Sequence, residues 1–303
     1  MRAVVTGGAG FIGSHVVEAL LERGDEVHVL DDLSRGTPAR VAAGAELHVA
    51  DIRDPDAVFA AVQPEAVFHL AAQADVRVSV ERPDLDADVN VLGTVRILEA
   101  ARRTDAKVIF ASTGGAVYGE CTGPAPESAE RRPLAPYGTS KLCGEEYLAT
   151  WNRLHGTGHV SLRFANVYGP RQDPYGEAGV VAIFMGLLHT GGTPRIYGDG
   201  SQSRDYVYVA DVARAMLAAT EHPGGVFNVG TGVETSVVEL YEAIQRASGV
   251  TREPAFTEAR LGELQRSVLD ISLAERELGW RPDHPLDDGL ARTWACVLQA
   301  RQE

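Results

Sequence analysis

Tyr137 and Lys141 are the pair whose types and spacing best suit proton and hydride chemistry. Within Tyr137-Gly138-Thr139-Ser140-Lys141 they stand four residues apart, so on a helix they share one face. An unperturbed phenol titrates near ~10 and is a poor base at neutral pH. A neighbouring ammonium group, and the positive ring of an oxidised nicotinamide, both favour the phenolate. Such a tyrosine can take the proton of a hydroxyl while the carbon beneath it gives hydride to the cofactor. Ser112-Thr113 closes a strand-like run. At the carboxyl end of a strand either hydroxyl can bond the reacting oxygen.

A nicotinamide needs a seat, and Thr6-Gly7-Gly8-Ala9-Gly10-Phe11-Ile12-Gly13 has the right composition for one. The segment lies between a short apolar strand, Ala3 to Thr6, and a helical pattern from Phe11 to Arg23. Gly7, Gly8, Gly10 and Gly13 let the backbone turn sharply and approach a pyrophosphate, whose charge the helix N-terminus stabilises. Asp31 ends the next strand, where a carboxylate accepts from the adenosine ribose hydroxyls and would repel a 2'-phosphate. This favours NAD, although nearby Arg35 is a residue that can accommodate such a phosphate. Asp51-Ile52 follows the third strand and can flank the adenine or simply cap a loop.

These residues must be held by alternating strands and helices. Glu26–Leu30, Leu47–Ala50, Ala66–Leu70, Val108–Ser112 and Val160–Arg163 read as further strands. Amphipathic helices fit at Leu85–Arg103 and Ser140–Leu154. The pattern predicts an α/β fold of the Rossmann type, a doubly wound parallel sheet, with a smaller mixed α/β lobe. Tyr206–Val209 and Val226–Val229 read as late additions to the first sheet. The expected division is a nucleotide-binding lobe of 1–164 plus 204–231 and a substrate lobe of 165–203 plus 232–303.

The 303 residues are 45% hydrophobic, enough for a sizeable core. A formal charge of −14 leaves no basic footprint for nucleic acid. No apolar run approaches the ~20 residues of a membrane helix. The start of the chain lacks the pattern of a signal peptide, which predicts a cytoplasmic protein. Cys121, Cys143 and Cys296 are far apart and show no metal-ligand spacing, so no metal centre is expected.

Taken in order, these blocks resemble the UDP-galactose (UDP-glucose) 4-epimerase branch of the extended short-chain dehydrogenases. The resemblance runs from Thr6–His15 to Leu278-Gly279-Trp280-Arg281-Pro282. It includes Asp31-Asp32-Leu33-Ser34-Arg35-Gly36 and His69-Leu70-Ala71-Ala72-Gln73. Ala111-Ser112-Thr113-Gly114-Gly115-Ala116-Val117-Tyr118-Gly119 and Asn166-Val167-Tyr168-Gly169-Pro170-Arg171 follow. Arg204-Asp205-Tyr206-Val207-Tyr208-Val209 and Asn228-Val229-Gly230-Thr231-Gly232 complete it.

The resemblance implies an NAD that stays bound, held by Gly7, Gly10, Phe11, Ile12, Gly13, Asp31, Asp32, Asp51, Ile52, Leu70, Ala71, Ala72, Gln73 and Lys141. It makes Tyr137 the base and has Lys141 hold the nicotinamide ribose. Thr113 assists at the sugar hydroxyl, with Ser112 as the other candidate. A 4-keto sugar forms, swings over and receives hydride on its opposite face. Asn166, Arg204 and Arg260 would meet the diphosphate and Glu263 the uridine ribose; arginine forks suit phosphate oxygens. The resemblance also implies a homodimer formed through two helices per subunit. The stripe Val89, Leu92, Val95 and Ile97-Leu98 suits one of them, or equally the sheet face.

Two departures stand out. Where the family often has Arg-Pro-Gly-Asp, this chain has Arg260-Leu261-Gly262-Glu263, and Ser267 replaces a tyrosine found in some members. The small serine is expected to leave room for a 2-acetamido group, extending the substrates to UDP-N-acetylhexosamines. The rival on the same fold is a nucleotide-sugar 4,6-dehydratase or a decarboxylating relative. The dehydratase motif puts Asp-Glu directly after the threonine, whereas Gly114-Gly115 follow Thr113. A silent NAD-binding sensor is the remaining alternative; such proteins commonly lose the tyrosine or lysine, and both are present.

Overall fold

The computed structural model describes residues 1–174, 179–260 and 264–299. Seven strands form one parallel sheet: β1 (Arg2–Thr6), β2 (Glu26–Asp31), β3 (Glu46–Val49), β4 (Ala66–His69), β5 (Lys107–Thr113), β6 (Val160–Phe164) and β10 (Gly225–Val229). Their order is β10-β6-β5-β4-β1-β2-β3. From β1 the chain winds outward through β2 and β3, then returns to place β4 on the other flank. The crevice at the carboxyl ends of β1 and β4 is therefore a topological switch point, where ligands of open α/β sheets bind.

The central strands are apolar on both faces because helices cover both. Val4, Val5, Val67, Phe68, Ile109 and Leu162 are all fully buried, as expected of an all-parallel sheet. Helix α1 (Phe11–Arg23) ends where expected, with Gly24 in the left-handed region at φ 89°. The helix expected at Leu85–Arg103 runs from Pro83 to Thr104, interrupted by a π-helical turn at Asp88–Leu92. Ile97 and Leu98 pack into the sheet core, while Leu92 is exposed.

One expectation is corrected. The strand at Tyr206–Val209 does not extend the first sheet. β9 (Ser203–Tyr208) sits in a second sheet between β11 (Glu234–Ser236) and β13 (Arg266–Ser267), with β7 (Asn166–Tyr168) also paired to it. The first sheet has no room for it beyond β6, because β10 takes that edge from Gly225↔Val160 to Val229↔Phe164. A buried carboxylate fixes β9 where it lies. Asp205 accepts from Thr231 N at 2.8 Å, Thr231 Oγ1 at 2.7 Å and Gly232 N at 3.1 Å. A short parallel pair, β8 (Arg195–Tyr197) with β12 (Ala255–Thr257), completes the strands. No described helix is long and apolar enough to cross a membrane.

Candidate functional site

The turn after β1 is built so that only glycine fits. Gly7 has φ 71°, and a Cβ there would lie 2.8 Å from Ala71 N. At Gly13 a Cβ would meet Gly7 O at 2.1 Å, so the first turn of α1 lies directly on the loop. Gly10 caps α1 without any side-chain acceptor, and Phe11 and Ile12 begin the helix. Its first amides thus have no acceptor from the cap residue, which is the arrangement a pyrophosphate needs.

Asp31 is buried and shapes the same loop. Its Oδ2 accepts from Ala9 N and its Oδ1 from Leu33 N, both at 2.9 Å. Asp32, more exposed, caps Ser34. Arg35 is largely exposed and reaches Asp75 at 4.0 Å. Asp51 is held by Arg53, whose hydrogen bonds pull the carboxyl below its ordinary range. Ile52 is buried against Gly93, where a Cβ would come within 2.7 Å of its Cδ1.

Beyond β4, Leu70 and Ala71 turn their amides onto Thr6 Oγ1 at 3.2 and 3.1 Å. Thr6 Oγ1 also meets His69 Nδ1 at 2.7 Å, and His69 Nε2 meets Thr94 Oγ1 at 3.1 Å. Burial, then the charge of Lys141, depresses His69 to about 3. Burial likewise holds His15 and His159 at about 4. All three are neutral in the fold and titrate near ~6.5 when unfolded. The unfolded chain therefore binds more protons, and stability falls as pH drops from about 6.5 towards 4. The loss approaches about 1.4 kcal/mol per pH unit for each group. Denaturant midpoints measured between pH 7 and pH 5 should move steadily downward; a flat series refutes the assignment.

The helix Pro136–His155 carries Tyr137 and Lys141 on its first turns, as their spacing requires. Pro136 stands at the first position of this helix, where its missing N–H costs nothing. Lys141 is 3% exposed, and its Nζ donates to Ala111 O at 2.9 Å and lies 6.0 Å from the Tyr137 ring. Burial lowers the ammonium to about 8, partly countered by Asp86. Burial and the Asp86 carboxylate push the Tyr137 phenol up to about 12. The expectation that the chain's own lysine favours the phenolate is thus outweighed. The phenol stays protonated unless further positive charge comes close.

Asp86 belongs to none of the sequence motifs. It is fully buried and accepts from Ser140 Oγ at 2.5 Å, Asn90 Nδ2 at 2.9 Å and Gln73 Nε2 at 3.1 Å. Asn90, within the π turn, also exchanges hydrogen bonds with the Gln73 backbone at 2.9 and 2.8 Å. The network ties the loop after β4 to the Tyr137 helix. Asp86 and Asn90 stand four apart on the helix face that also carries Ile97 and Ala101, a spacing that suggests burial but not the partners from other segments.

The two candidate hydroxyls part company, because neighbours on a strand face opposite ways. Ser112 is buried and donates to Glu145 Oε1 at 2.5 Å. Thr113 is half-buried and stands at the cap of a short helix without spending its hydroxyl on the cap. A Cβ built on Gly115 would lie 3.4 Å from Asn166 Oδ1 and 3.9 Å from Thr113 Oγ1, so both side chains face this glycine. Ala72 and Gln73 follow in the loop beyond β4.

In the second sheet Arg204 pairs in register with Ser267, which is buried, and donates to Ser203 O at 2.7 Å. Arg260 stacks 3.8 Å over the Tyr197 ring. Glu263 lies outside the described residues.

A parallel sheet with a glycine turn at its switch point, and a Tyr–Lys pair on a helix packed against β5, defines a dinucleotide-binding α/β enzyme. The chain belongs to the NAD dependent epimerase/dehydratase family, which it matches over residues 3–230. The UDP-glucose 4-epimerase of Mycolicibacterium smegmatis is 49% identical over 306 residues, covering 97% of each chain. The UDP-glucose 4-epimerase of Thermotoga maritima, solved with UDP-glucose, superposes with a TM-score of 0.96 at 44% identity, covering 99% of this chain and 100% of that one. A UDP-N-acetylglucosamine 4-epimerase from Methanobrevibacter ruminantium, solved with UDP-N-acetylmuramic acid, gives a TM-score of 0.94 at 33% identity, covering 99% and 98%.

Proposed function

We propose that the protein interconverts UDP-glucose and UDP-galactose by inverting carbon 4, with NAD as resident cofactor. The observation that carries this reading is the Tyr137–Lys141 pair on one helix, with Lys141 seated on β5 through Ala111 O, in a parallel sheet whose first strand runs into the glycine turn. Bound NAD supplies the reversible acceptance and return of hydride at the sugar carbon. Tyr137 takes the proton of the 4-hydroxyl and later returns it, while Thr113 bonds the same oxygen. Lys141, anchored on Ala111 O, holds the nicotinamide ribose and keeps a positive charge near the phenol. Asn166, Arg204 and Arg260 bind the diphosphate, and Glu263 the uridine ribose.

A dehydratase reading fits less well. Its Asp-Glu pair would fall at positions 114 and 115, and a Cβ at Gly114 would lie 2.6 Å from Leu269 Cδ1. That position accepts a side chain only if Leu269 moves. The test is proton NMR of the purified protein with UDP-galactose and no added nicotinamide. UDP-glucose approaching the same equilibrium from either side supports the proposal; no turnover even with added NAD overturns it. The same assay with UDP-N-acetylgalactosamine tests the expectation that Ser267 leaves room for a 2-acetamido group, and no turnover there removes the N-acetyl extension.

The hydroxyls give a sharper local test. Thr113→Val should lower turnover by about 10²-fold or more. Ser112→Ala should instead cost about 1–3 kcal/mol of stability by stripping a buried partner from Glu145, with turnover retained. Reversed effects would exchange the two roles.

We also propose a cytoplasmic homodimer. The helices Pro83–Thr104 and Pro136–His155 present Leu92 and Tyr147, 56% and 39% exposed, as apolar surface for a second copy. Light scattering at the monomer mass would refute it.

A further inference from the structure

Far from the cofactor turn, near the amino ends of β2 and β3, four titratable side chains share one face of the sheet. Glu26 and His28 alternate along β2, Glu46 and His48 along β3, and the register sets His28 beside Glu46. His28 Nδ1 stands 3.0 Å from His48 Nε2 and 3.6 Å from Glu46 Oε2. His48 Nε2 stands 3.8 Å from Glu46 Oε1. Tetrahedral zinc holds nitrogen and oxygen donors at ~2.0–2.2 Å, which sets neighbouring donors about 3.3 Å apart. The imidazole nitrogens lie close to that spacing, and with one Glu46 oxygen the three donors all lie within 4.8 Å of one another, so an ion would draw the exposed Glu46 carboxylate inward.

The surroundings suit a cation. His28 Nε2 lies 3.1 Å from Glu26 Oε1. If it donates there, the neutral ring leaves Nδ1 bare as a ligand, the usual outer-shell arrangement of a metal-binding imidazole. The cavity beside the cluster is lined by two carboxylates, Glu26 and Glu46, and by Arg2, whose Nε is spent on Gln63 O at 3.0 Å. The cluster opens onto a cavity walled also by Arg2 and Val62, which leaves a way in and a fourth position for water. Two imidazoles and one carboxylate suit zinc, copper or nickel. Calcium, by contrast, takes six to eight oxygens.

We propose that His28, His48 and Glu46 form a binding site for a divalent transition-metal ion, zinc by preference, which fastens the edge strand β3 to β2. The site is structural, because the Tyr137 and glycine-turn groups lie at the opposite ends of the strands. The histidine spacing escaped sequence inspection because ligands 20 residues apart meet only through strand register.

Purified protein, stripped with a chelator of adventitious metal but retaining its nucleotide, is titrated with zinc chloride by calorimetry. One equivalent is expected per chain. His48→Ala should abolish that equivalent, and Glu26→Gln should weaken it by about 10–100-fold. Zinc should raise the unfolding temperature of the wild type, since a ligand of the folded state stabilises by mass action, and leave that of His48→Ala unmoved. Glu46→Gln, at a side chain 68% exposed, gives the same loss without a threat to folding. No zinc uptake by the wild type, or uptake by His48→Ala and Glu46→Gln as strong as that of the wild type, overturns the proposal.

Discussion

Tyr137→Phe should lower turnover of UDP-galactose by about 10²–10⁴-fold, the range lost when a positioned proton-transfer group is removed, with little change in nucleotide-sugar affinity. The asymmetry follows from the geometry. The ring stays in place against Lys141, so the pocket keeps its shape, but the oxygen that exchanges the proton is gone. Binding is followed by calorimetry and turnover by NMR.

The variant carries a second signature. The chain itself holds this phenol at about 12, through burial and the fully buried Asp86. Below that value the free protein has almost no phenolate, so proton acceptance depends on positive charge brought near the ring. Lys141, at about 8, is mostly charged at neutral pH and contributes some of it; an oxidised nicotinamide adds more. Wild-type turnover should therefore rise with pH on its acid side as the phenol of the loaded enzyme titrates. The Phe variant should lose that limb and keep a flat residual rate. A variant retaining more than about a tenth of wild-type turnover would falsify the assignment and point to Thr113 as the acceptor.

Much of this site is legible because its parts are local. The glycine turn, the carboxylate ending β2 and the Tyr–Lys spacing each lie within one short segment, where strand and helix periodicity suffices to place them. What stayed hidden depends on long-range pairing. β9 has the composition of a strand of the first sheet, and only its pairing with β7, β11 and β13 removes it from there. Ser112 and Thr113 are interchangeable by type. They are told apart only by a long-range contact, since Ser112 donates to Glu145 of the Tyr137 helix. By type and position Asp86 resembles any acid near a helix N-terminus, yet it is buried among Ser140, Asn90 and Gln73. The two cross-strand histidines are invisible for the same reason.

Glu145, the buried partner of Ser112, sets the second large effect. Glu145 and Arg163 are each about 2% exposed and pair bidentately, Nε to Oε1 at 2.9 Å and Nη2 to Oε2 at 2.6 Å. Ser112 donates to the same carboxylate, and Arg163 Nη1 also donates to Tyr118 Oη at 2.7 Å and to Glu127 O at 3.1 Å. The pair therefore joins the Tyr137 helix, β5 and β6. Glu145→Ala would leave a guanidinium in the interior with uncharged partners only, which costs about 3–5 kcal/mol. Denaturant unfolding measures the loss directly. Replacing both partners, Glu145→Leu with Arg163→Met, should recover most of it, because desolvating an ion pair is itself costly and apolar groups of similar size can be nearly neutral. If the double variant is no more stable than Glu145→Ala, the contribution lies in the hydrogen bonds to Ser112 and Tyr118 rather than in the paired charges. The helix would then be seated on β5 by those neutral groups, and turnover should fall with stability, since Lys141 and Tyr137 take their position from the same contact.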